Sequence, residues 1–133
     1  MANTLYDAGR EGILDTSIAM TGDIRVMLVN SAYVFDSTDR FLTDMGAVDN
    51  GRSTTLQNMT YTAGVFDADN ISLTATAAAT CNALVIFLNT GSDATARVIA
   101  YIDTSAAGLP FTPSAGQTVN LLWDSGVNRI FKL

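Results

Sequence analysis

Cys81, in the stretch ATCNALVIF, is the only thiol in a chain without histidine. A cysteine nucleophile needs a base to remove its proton, and imidazole is the usual one. A single sulfur also closes no disulfide within the chain. At the head of an apolar run, Cys81 reads as a small buried residue. Carboxylates are more plentiful: of 13 acids, only Glu11 is not aspartate. A pair could serve general acid–base hydrolysis if one were buried beside the other. Here they fall in turn contexts, Asp49 before Asn50-Gly51, Asp93 in GSD and Asp124 in DSG. Aspartate favours such places because its side chain bonds to nearby backbone N–H groups.

The segment Asp67 to Asn70, DADN, opens like a calcium loop, with oxygen ligands at alternate positions. Ile71 and Ser72 then occupy the places of a ligand and a glycine, and no glutamate closes the loop. A turn with solvated carboxylates is the favoured reading. The ten glycines are scattered, without Gly-x-Gly or Gly-Lys-Ser/Thr, so no phosphate loop is expected. Tyr6, Tyr33, Tyr61, Tyr101 and Trp123 could form a sugar-binding platform, but strand aromatics serve equally well in a core. The residues therefore predict no catalytic group, no cofactor and no metal, and a protein that is not an enzyme.

The elements that would position these groups are mostly strands. With 133 residues, 48% of them hydrophobic, the chain suits one domain spanning 1–133. Lys132 is its only lysine. The scarcity of Lys and Glu argues against exposed helices, and the abundance of Asp argues for many turns. The net charge of -6 disfavours nucleic acid. Asp7, Arg10 and Glu11 interrupt the apolar block that a secretory signal requires. The longest uncharged stretch, Asn70 to Ser92, holds too many small polar residues for a membrane span. A soluble protein made in a cytoplasm is expected.

Residues 3–14 predict a short amphipathic helix capped by Asn3, with Leu5, Gly9 and Ile13 on one side. Gly9 and Gly12 weaken it and are expected to end it rather than to let a neighbouring backbone approach. Strands and turns are expected over 23–133. DIRVMLVN is a strand that SAYVFD extends past a bulge. STDRFLTDMG holds a turn or two of helix, capped by Ser37 or Thr38 and stopped by Gly46. Asn50-Gly51 signals a hairpin, TTLQNMTYT alternates as a strand, and GVFDADNISLTAT is broken by an Asp-rich turn. NALVIFLNT is a central strand covered on both faces and pairs with RVIAYID. QTVNLLW turns Val119, Leu121 and Trp123 to one side, and NRIFKL closes the set. The fold class is mainly β: an antiparallel β-sandwich or partly open, jelly-roll-like barrel with a short N-terminal helix.

Several stretches together resemble small structural proteins of tailed bacteriophages. They are MANTLYDAGREGILD, DIRVMLV, NALVIF with ARVIAYIDT and GLPFTP, and WDSGVNRIFKL. The resemblance spans nearly the whole chain and is weakest from about residue 35 to 80. It implies a virion structural protein, foremost a capsid decoration (cement) protein that binds the major capsid protein and stabilises the head. It places the protein on the capsid surface after assembly in the host cytoplasm, as a homo-oligomer with a trimer favoured. A tail or fibre-adaptor protein is the alternative, and a glycan- or calcium-binding β module the second. No nucleic acid and no membrane is expected as partner.

Two segments are candidate contact surfaces. In the final strand Arg129, Phe131 and Leu133 face one way, and Ile130 and Lys132 the other. An intramolecular last strand is favoured there, with strand addition to a neighbouring subunit as the competing account. In the N-terminal helix, Leu5, Tyr6 and Arg10 are the docking candidates.

Overall fold

A computed structural model describes residues 4–103, 109–123 and 130–133. Its elements are β1 (Thr4–Leu5), α1 (Asp7–Leu14), β2 (Ile24–Asn30), β3 (Asp49–Arg52), β4 (Val65–Phe66), β5 (Ile71–Thr74), β6 (Cys81–Leu88), β7 (Arg97–Ile102), β8 (Thr118–Leu121) and β9 (Phe131–Lys132). A five-stranded antiparallel sheet runs in the order β1-β7-β6-β2-β3, and two ribbons, β4-β9 and β5-β8, face it. The architecture is that of a β-sandwich with one short helix, and its sheets do not close into a barrel.

The centre is the hairpin of β6 and β7, as the apolar runs require. Alternate β6 residues serve opposite cores. Leu84 and Ile86 join Val26, Leu28, Leu73, Leu121 and Phe131 beneath the ribbons. Ala83, Val85 and Phe87 join Met27, Val29, Leu42 and Tyr101 on the other face, beneath residues 31–48. One bulge breaks the alternation in β7. Ile86 pairs with Ala100 and Phe87 with Val98, so Ile99 is an extra residue and shares its core with Ala100.

That bulge seats the helix. The Ile99 carbonyl accepts the N–H of Tyr6 at 3.0 Å, and a Cβ added at Gly9 would lie 2.5 Å from the same oxygen. Gly9 thus lets α1 lie on the backbone of β7, and the helix continues past both glycines to Leu14. The expectation that the glycines end it is corrected. The start is corrected too: Thr4 and Leu5 pair with Tyr101 and Ala100 as a strand, so the helix begins at Asp7. The proposed cap Asn3 lies outside the described residues.

Four further expectations give way to tertiary context. SAYVFD does not extend β2; it turns away to cover the sheet. The helical turn falls at Leu42–Met45 as a 3-10 turn. Its start is capped by Asp44, whose Oδ2 accepts the N–H groups of Arg40 and Phe41 at 2.9 Å each, and not by Ser37 or Thr38. Gly46, at φ 80°, does stop it. Asn50-Gly51 makes no hairpin; both residues lie within β3 as a bulge between Met27↔Arg52 and Val29↔Asp49. Gly51 has φ 129°, and a Cβ there would collide with the carbonyl oxygen of Thr74. The sheet edge therefore meets the end of β5 backbone to backbone. TTLQNMTYT is irregular, with Ser53 and Leu56 donating to the Val26 and Ile24 carbonyls and Thr60 bridging Asp67.

Candidate docking surface

The C-terminal segment is held by its own chain. Lys132 pairs with Val65 and Phe131 with Phe66. Ile130 donates its N–H to the Phe66 carbonyl at 3.1 Å, and Leu133 to that of Gly64 at 3.0 Å. The Phe66 and Phe131 rings stack with centroids 5.1 Å apart. Phe131 is accordingly a core residue. Leu133, by contrast, is 58% exposed, and Tyr61 is 42% exposed. The two are joined through Gly64, which donates to the Tyr61 carbonyl. The Tyr61 hydroxyl donates to the Met20 carbonyl at 2.7 Å and its ring lies 5.9 Å from Phe66. Tyr61 and Leu133 are thus two exposed apolar side chains, each anchored through its own backbone or hydroxyl bonds. Arg129 and the turn Asp124 to Gly126 lie outside the described residues.

The N-terminal candidates separate. Leu5 and Tyr6 are buried and belong to the two cores, so neither offers surface to a partner. Arg10 is exposed, paired loosely with Asp7 and bonded to the Leu5 carbonyl. Tyr6 instead anchors a polar chain within an aromatic cluster. Its hydroxyl lies 3.0 Å from that of Tyr33, which donates to Asp39 Oδ2 at 2.7 Å. Phe35 fills the gap, 5.1 Å from Tyr6 and 4.9 Å from Tyr101. Burial pushes the Tyr6 hydroxyl far above its ordinary value, with the bond to Tyr33 adding to the rise. Burial likewise raises Tyr33 and the Asp39 carboxyl. Three tyrosines of the sugar-platform reading, Tyr6, Tyr33 and Tyr101, are therefore interior. Trp123 is half-buried, with its indole N–H on the Asp69 carbonyl at 3.0 Å.

Several charges among the described residues work as fasteners. Asp23 accepts a bidentate bond from Arg25 and further bonds from Thr55 and Asn89. The Arg25 guanidinium, followed by Thr55 and Asn89, holds its carboxyl well below the usual range. Arg52 bridges Asp49 and, through two bonds of 2.8 Å, Asp93, while lying 5.5 Å over the Phe87 ring. Cys81 is buried, as expected, and burial raises its thiol. Asn50 donates to its sulfur at 3.0 Å. Asn50 also bonds to Thr76 and Ala77, tying the sheet edge to the segment after β5. Asp23–Arg25 and Asp49–Arg52 are sequence neighbours, but the other pairings have no local sequence signal. Arg52 and Asp93 are 41 positions apart, and only the fold brings them together.

Around DADN, Asp69 accepts from Asn58, and Asn70 Oδ1 from the Trp123 N–H. Among the described residues, no three acidic or thiol side chains gather where they could hold a metal ion. No described helix is long and apolar enough to cross a membrane. Charge is distributed unevenly: residues 70–92 and 104–123, which include β5, β6 and β8, carry none. No family model, curated protein or solved structure matches this chain.

Proposed function

We propose that this chain is a structural protein of a bacteriophage virion, a capsid decoration protein that binds the major capsid lattice as an oligomer and stabilises the head. The observation that carries the reading is the fastened C-terminal ribbon, with Leu133 exposed at its end and Tyr61 exposed in the segment that leads into it. It offers a rigid apolar contact whose presentation costs little ordering entropy on docking. Two features of the chemistry favour a scaffold role. The thiol and the interior tyrosines are driven towards their protonated forms. The low-lying Asp23 carboxylate is engaged by three residues. The resemblance of the chain to small phage structural proteins points the same way.

Incubating the purified protein with capsids that lack it, then sedimenting them, tests the proposal. Saturable binding in a fixed ratio to the major capsid subunit is the expected result, weakened by Leu133→Asp combined with Tyr61→Ser. Absence of co-sedimentation would reject decoration in favour of a tail or fibre-adaptor role.

A further inference from the structure

We infer that β8 is a docking edge for a second copy of this chain, which joins it by antiparallel strand addition about a two-fold axis. The phase of the β5-β8 ladder sets the direction of its backbone groups. Ala75 donates to the Gln117 carbonyl at 2.9 Å, and the Trp123 N–H reaches Asn70 Oδ1 on the same side. Leu73↔Val119 and Ile71↔Leu121 are therefore the hydrogen-bonded pairs. Thr118 and Asn120 turn their N–H and C=O groups away from β5. Both residues are exposed, and among the described residues no hydrogen bond reaches them from that side.

Such an edge is normally blunted by lysine, proline or an inward charge. Thr118-Val119-Asn120-Leu121 has none of these, and the next residue, Leu122, is 51% exposed. Charge selects the occupant. Each copy carries -6 overall, yet β5, β8 and their flanks at 75–80 and 112–117 are uncharged. This is where two like-charged copies approach with least repulsion. The strand also matches itself. With the axis at Val119, Thr118 faces Asn120 of the second copy and the reverse, giving about four main-chain bonds. Val119 then lies opposite its own counterpart, so apolar side chains stay on the inner face and hydroxyl and amide groups on the outer. A standard contact of about 800 Å² per partner would cover roughly an eighth of the 6306 Å² surface. The contact is two-fold where the sequence favoured a trimer, and it stands independently of the virion role.

Light scattering and sedimentation equilibrium over a concentration series test it. The expected result is a monomer–dimer equilibrium strengthened by added salt. Asn120→Lys places charge in the seam, and Asn120→Pro removes an outward N–H that β5 does not use. Each should raise the dissociation constant at least about ten-fold, or 1.4 kcal/mol, with an unchanged circular dichroism spectrum. In the wild type, amide exchange at Thr118 and Asn120 should slow as protein concentration rises. Monomer mass at the highest soluble concentration, trimers without dimers, or variants that associate like the wild type would overturn the inference.

Discussion

On one face of the five-stranded sheet, residues 31–48 are fastened by a Tyr6–Tyr33–Asp39 chain, the Asp44 cap and an Arg40–Glu11 ion pair. On the other, the two ribbons lie on Leu73, Val119, Leu121, Ile130 and Phe131, and β5 and β8 contain no charged residue. The first cover is an irregular segment without a strand ladder, so side chains must satisfy its backbone and fix its path. The second comprises short ladders whose inner faces are apolar, and burial chiefly orients them, with a few neutral side-chain bonds such as those of Asn50 and Trp123. A regular element needs few polar fasteners and can leave its outer face neutral. An irregular one collects charges because it needs their hydrogen bonds.

This difference can be broken at its apolar side first. Phe131→Ala removes the ring stacked on Phe66 and should cost about 4 kcal/mol, read as the free energy of chemical unfolding. The loss should be the same at low and high salt, since no charge is involved. A loss below about 1 kcal/mol would show that the C-terminal ribbon is not part of the core.

The polar fasteners should respond to pH as well as to substitution. Asp23 has a folded pKa depressed chiefly by Arg25. Its contribution is therefore present above the unfolded value of about 4 and disappears as pH falls through the folded value. Asp23→Asn should cost about 2 kcal/mol at neutral pH, a figure reduced by solvent screening of this partly exposed group. The variant should approach the wild type in stability as the pH drops below 4. A penalty that persists in acid would assign the effect to packing instead.

The smallest effect sharpens the contrast within the charged cover. Asp39 is raised by burial, against the bond from Tyr33. A carboxyl with a raised folded pKa is favourable while protonated, and that benefit is lost as pH rises through the folded value. Asp39→Asn keeps an acceptor for the Tyr33 hydroxyl and removes the buried charge. Its free energy of unfolding at neutral pH should match or slightly exceed that of the wild type, by about 0.5 kcal/mol or less. A clear loss would mean that the charge itself holds the cluster.

Sequence alone was enough for the β class, the β6-β7 hairpin, the two-faced burial of β6 and the stop at Gly46. These follow from hydrophobic period and from local backbone preference, which act over a few neighbouring residues. Tertiary structure decided what local signals left open. Asn50-Gly51 is as good a turn as it is a bulge, and only the approach of Thr74 selects the bulge. Gly9 could end a helix or seat one, and the Ile99 carbonyl settles which. Leu5 and Tyr6 became core, and Leu133 surface, because a sheet edge and a ribbon claimed some side chains and left others out. Periodicity says which residues share a face; what that face meets depends on residues far away in the chain, and no local pattern encodes their arrival.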